Sequence, residues 1–126
     1  MAMRWFDKPK PKEIWQEPVA WPLGDIEAAH RIRDICRAAS ASAEKVGAPG
    51  GKNPQHEFQR YEAAARAAME TAMKISDDLL RDTAVRQIVD LCLMACDFRT
   101  ARILFRAIQA QSIREEVLRD HPLLAS

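Results

Sequence analysis

The side chains in this 126-residue chain with the chemistry to do work are three cysteines, three histidines and a run of arginines. Cys92 and Cys96 stand four apart, and Cys36 and His30 lie far upstream. Structural zinc takes four Cys or His ligands, often opening on a C-x2–4-C pair. Cys92-x3-Cys96 meets that spacing, so a small metal- or thiol-dependent protein is one reading. Helical geometry weighs against it. His30 falls on the polar side of the helix that carries Cys36, and Cys92 and Cys96 fall in an apolar stripe, where a free cysteine acts as a small hydrophobe. Cβ atoms four residues apart on a helix are about 5–6 Å apart, against about 3.8 Å across a disulfide. The expectation is free thiols, no metal and no cofactor.

His56 and His121 have no acid or nucleophile at a catalytic spacing. Gly47, Gly50 and Gly51 are followed by Lys52-Asn53-Pro54, not by the lysine–serine of a phosphate loop. No enzyme is expected from these residues. The arginines carry more. Arg99, Arg102 and Arg106 lie in a stretch from Phe98 to Arg114 that holds no acid. At helical spacing they share one face, opposite Ala101, Phe105 and Ile108. Such a stripe holds carboxylates on a partner, or phosphates. If the stripe is only a solvated face, Asp90, Asp97, Glu115 and Glu116 are the acids near enough in sequence to compensate it.

Composition sets bounds. Net charge is +1, which gives no overall pull toward nucleic acid or an anionic membrane. With 48% hydrophobic and 29% charged residues the chain is globular. Its length suits one domain with its own core. No apolar run approaches the roughly 20 residues that span a bilayer. The opening MAMRWFDKPKPK has no apolar stretch of signal-peptide type, and the odd cysteine count argues against a disulfide framework. A cytoplasmic protein is expected.

The elements that position these residues read as helices. Residues 1–24 form an arm with all three tryptophans and Pro9, Pro11, Pro18 and Pro22, a density that excludes a long helix. One short turn is expected around Glu13–Gln16. Trp15 and Trp21 are expected to fold back on the body, while Trp5 and Phe6, interleaved with Arg4, Lys8, Lys10 and Lys12, stay free to meet a partner. Residues 25–126 are expected to form one helical domain. Helix 1 begins with Asp25 as N-cap and buries Ala28, Ala29, Ile32, Ile35, Cys36, Ala39 and Ala43. A loop over 46–54 follows. Helix 2 opens at Asn53-Pro54 and runs to about Leu80, burying Phe58, Tyr61, Ala65, Ala68, Met69, Ala72, Ile75 and Leu79. Helix 3 follows Asp82. It buries Ala84, Val85, Ile88, Val89, Cys92 and Cys96, and its other side carries Leu91, Leu93 and Met94. That surplus makes it either central or an interface, with a homodimer as one outcome. Helix 4 opens at Asp97. Ser112-Ile-Arg-Glu115 reads as a capping box for a short fifth helix that stops at Pro122. No segment alternates long enough for a strand. The fold class expected is all-α, a bundle of four to five helices.

One pattern comes round twice. Ala68, Ala72, Ile75 and Arg81 are matched 33 positions later by Ala101, Phe105, Ile108 and Arg114. Residues 82–115 resemble a tetratricopeptide-type helical hairpin. Ala101, Phe105 and Ile108 stand at that family's A-x3-F-x2-A positions, and Val85 and Ile88 at its first apolar pair. Val89 and Cys92 depart from the family's glycine and tyrosine. The resemblance implies a scaffold for binding, not catalysis. The function expected is a non-enzymatic helical module that binds another protein, through Arg99, Arg102 and Arg106, through Leu91, Leu93 and Met94, or through Trp5 and Phe6. A nucleic-acid accessory protein using the same arginines and the basic arm is the alternative.

Overall fold

The computed structural model describes residues 13–50 and 53–125, and among these it contains five α-helices and no strand. They are α1 (Asp25–Gly47), α2 (Pro54–Ala72), α3 (Asp78–Met94), α4 (Phe98–Ala107) and α5 (Gln111–Asp120), with 3-10 turns at Ile14–Gln16 and Pro122–Ala125. α1 and α2 form one hairpin and α3 and α4 a second. α3 touches every other α-helix, which is why it buries Ala84, Val85, Ile88, Val89, Leu91 and Cys92 and keeps its polar side to a strip that includes Arg86 and Asp90. Among the described residues no helix is long and apolar enough to cross a membrane.

Small residues set the closeness of the first hairpin. Ala28, Ala39 and Ala43 of α1 and Ala64, Ala68 and Ala72 of α2 are buried. Ile32, Ile35 and Tyr61 fill the space between them. Each such aliphatic side chain contributes about 1.5–3 kcal/mol by leaving water. The 3-10 turn seals the open edge of this hairpin. Trp15 is 7% exposed, Arg60 lies 5.8 Å over its ring, and the same guanidinium pairs with Glu13 at 2.8 Å. Trp21 does not follow it inward. It is 47% exposed, with the Lys74 ammonium 5.8 Å from its ring.

Three boundaries differ from those expected. α2 ends at Ala72, not Leu80, and α3 begins at Asp78, not after Asp82. Helical periodicity continues through the break, so it hid the turn. Ile75 drops into the core there, and Asp77 caps α3 by accepting from the Leu80 N–H at 2.8 Å. Leu79 consequently sits in the exposed first turn of α3, and Phe58 packs tilted on Tyr61 while staying half open. Asp25 is not the cap of its own helix; Gly24 is. The Asp25 carboxylate instead accepts from the backbone N–H groups of Ser76 at 3.0 Å and Asp77 at 2.9 Å, at the entry of α3.

The same device recurs at α5. Asp82 is buried inside α3 and accepts from the N–H groups of Gln109 at 3.1 Å and Ala110 at 2.8 Å. Gln109 and Ala110 follow Ser76 and Asp77 by the 33-residue period. The expected Ser112–Glu115 capping box does not form. Ala110 is the N-cap of α5, and Glu115 bonds the Gln111 side chain instead. A carboxylate from an earlier helix thus holds the two backbone N–H groups that lead into α5.

Candidate functional site

Among the described residues no group of three potential ligands comes together. Cys36 is half-buried, and burial pushes its thiol up to about 12. Cys92 is buried, and burial pushes its thiol up to about 11. Thiols so raised carry almost no thiolate at neutral pH and are poor nucleophiles and poor ligands. Cys96 is not in the apolar stripe where its spacing placed it. α3 stops at Met94, and Cys96 takes the left-handed conformation, φ 57°, that closes the helix. Its N–H donates to the Leu93 carbonyl at 3.0 Å, and the Asp97 N–H to the Cys92 carbonyl at 2.9 Å, which is the Schellman pattern. The Cys96 side chain is thereby exposed.

α4 carries the arginines, and Asp97 fixes where it starts. One Asp97 oxygen accepts from the Thr100 N–H at 3.3 Å, and the other accepts from the Tyr61 hydroxyl at 2.7 Å. Ala101, Leu104 and Phe105 then turn into the core. Arg99 and Arg106 are exposed and Arg102 is half-buried. Among the described residues none of the three forms an ion pair, and the Arg102 Nε is enclosed with no hydrogen-bond partner.

The acids that sequence proximity offered as compensation are engaged elsewhere. Asp97 is bound as just described. Glu115 holds Gln111. Glu116 and Asp120 share Arg86, Asp120 at 3.1 Å. Asp90 faces His121, 3.6 Å from its ring nitrogen. Burial raises the Asp90 carboxyl above its ordinary range, against the pull of Arg86 and His121, and neighbouring Asp120 adds to the rise.

Beside the stripe lies a cleft of about 530 Å³ where the ends of α3 and α5 meet the start of α4, lined by Asp90, Leu93, Met94, Phe98, Asp120 and His121. Two of the three residues of the helix 3 surplus reach it. Met94 is 43% exposed and Leu93 partly buried. Leu91 does not; at 1% exposure it belongs to the core and is closed to a partner. Phe98, 39% exposed, joins the surface, as do Asp90, Asp120 and His121. Sequence reading missed these four. The one signal for Phe98 was its place four residues before Arg102, on the same helix side. Trp5 and Phe6 lie outside the described residues.

The groove between α2 and α4, about 230 Å³ and lined by Tyr61, Arg66, Met69, Thr100 and Leu104 among others, is a poorer site. It falls below the roughly 300–1,000 Å³ typical of ligand pockets. Its polar groups are already satisfied, since Tyr61 binds Asp97 and Arg66 lies 3.8 Å from Glu62.

The chain matches no protein-family model, no curated protein and no solved structure.

Proposed function

We propose that this protein is a non-enzymatic interaction module that binds another protein through the α4 end of the fold. The observation that carries the reading is the uncompensated stripe. Arg99, Arg102 and Arg106 project from one helix, and every nearby acid is committed to another group. Guanidinium groups without internal partners are free to form bidentate bonds with partner carboxylates. The adjoining half-exposed Met94 and Phe98 supply the apolar anchor that interface hot spots need. The stacked hairpins and the recurring Asp25 and Asp82 caps support reading residues 82–115 as a tetratricopeptide-like unit, whose use is scaffolding. Free thiols at Cys36, Cys92 and Cys96 support a reducing, cytoplasmic setting.

The same guanidinium groups suit phosphates, so nucleic acid is the second reading. Affinity capture of the tagged protein from its own cell extract, with and without nuclease, separates the two. A protein retained after nuclease, and lost from an Arg99→Glu/Arg106→Glu variant, supports the module. Material released by nuclease supports nucleic acid. Nothing retained in either arm removes both.

A further inference from the structure

The cleft and the stripe differ in charge and adjoin at one residue. The acidic side holds Asp90, Glu116 and Asp120 against a single guanidinium, Arg86, and the His121 ring. The cationic side holds Arg99, Arg102 and Arg106 with no acid among the described residues in ion-pair contact. Phe98 belongs to both. It lines the cleft, and at about 100° per residue Arg102 lies one turn further along the same side of α4. Around it the surface is apolar, with Leu93 and Met94 in the cleft wall.

A surface with a positive half, a negative half and an apolar centre is complementary to itself under a two-fold rotation. The geometry points to a homodimer in which the Phe98–Arg102 side of α4 in each copy enters the cleft of the other, setting Arg99 and Arg102 against the other copy's Asp120, which has only a share of Arg86, and Asp90, whose ion partner is the His121 ring. This names the partner of the surface proposed above and rests on that surface being an interface. The axis passes close to Phe98, so the two phenylalanines meet at the centre and the charge pairs flank them twice. The half-buried Arg102, without an ion pair among the described residues, gains an acceptor for the exposed part of its guanidinium. Because the halves adjoin on one face, the contact closes at two copies and does not propagate into a chain.

Sedimentation velocity of the full-length protein over about a hundredfold range of micromolar concentration tests this. The wild type is expected to pass from monomer to dimer, with self-association at least tenfold weaker in high salt. Phe98→Asp and Arg99→Glu are each expected to weaken it tenfold or more. Arg99 is exposed, so that variant folds normally, as circular dichroism will confirm. Combining Arg102→Glu with Asp120→Arg is expected to restore part of what Arg102→Glu loses. A wild type that stays monomeric throughout overturns the inference, as does a dimer indifferent to Phe98→Asp and Arg99→Glu. A monomer that still retains a protein in the capture experiment sinks the two-fold contact and leaves the interaction module standing. A dimer that retains no other protein does the reverse.

Discussion

Tyr61 of α2 donates its hydroxyl hydrogen to the Asp97 carboxylate at the head of α4, at 2.7 Å, and this one bond joins the two hairpins at the helix that carries the arginines. The ring is 1% exposed, and burial holds the phenol far above its ordinary range. Tyr61→Phe keeps the packing and leaves the Asp97 oxygen without its donor. The expected loss is about 1–3 kcal/mol of unfolding free energy in urea. Partner capture should weaken with it, because α4 loses its anchor. A loss under about 0.5 kcal/mol, the level of an ordinary surface change, would show that solvent replaces the hydroxyl.

Asp82 and Ser112 offer a direct comparison between a long-range cap and a local one. Asp82→Ala strips the acceptor from two partly buried N–H groups and is expected to cost about 2–4 kcal/mol. Ser112→Ala, which removes the unused capping box, is expected to cost under about 0.5 kcal/mol. Equal costs in thermal or urea melts would mean that α5 relies on its own first turn.

Two backbone N–H groups, from Ser76 and then Asp77, hold the Asp25 carboxyl below its ordinary range. A carboxylate lowered by folding stabilises the fold above its unfolded pKa of about 3.9, and that contribution is lost as pH falls through the lower folded value. Replacing Asp25 by Asn should flatten the fall of the urea midpoint between about pH 5 and pH 2. An unchanged acid limb in the variant would remove Asp25 from the linkage.

Cys96 occupies, at φ 57°, a helix-closing position that glycine adopts without cost. Cys96→Gly is therefore expected to raise stability by about 1 kcal/mol, read as a higher urea midpoint. A fall would mean that the Cys96 side chain's contact with the Gly47 carbonyl, at 3.8 Å, matters more than the backbone strain.

In the native protein a maleimide should label Cys96 first. Half-buried Cys36 should react far more slowly and buried Cys92 only on unfolding, because burial raises both thiols. Peptide mapping of briefly labelled protein checks this, and early label on Cys92 would contradict its buried placement.

Sequence alone determined the helical class and most of its inward faces. Ile32, Ile35, Ala68, Ile88, Phe105 and Ile108 are apolar at helical spacing, and the fold buries them all. Asn53-Pro54 and Asp97 mark helix starts through local backbone chemistry, so the starts of α2 and α4 were legible. The arginine stripe was legible for the same reason, since helix geometry alone places Arg99, Arg102 and Arg106 together. The break after Ala72 was not, because the periodicity runs on unbroken and the turn is held by Asp25, some fifty residues away. Nor was the cleft. Leu91, Leu93 and Met94 are equally apolar in sequence, and only the packing of α3 among its neighbours closes Leu91 and leaves Met94 open beside Phe98, Asp90 and Asp120. Periodicity assigns a residue to a face of its own helix. Which faces stay open, and which carboxylate answers which N–H or guanidinium, depends on contacts between segments distant in the chain, and those exist only once the helices have packed.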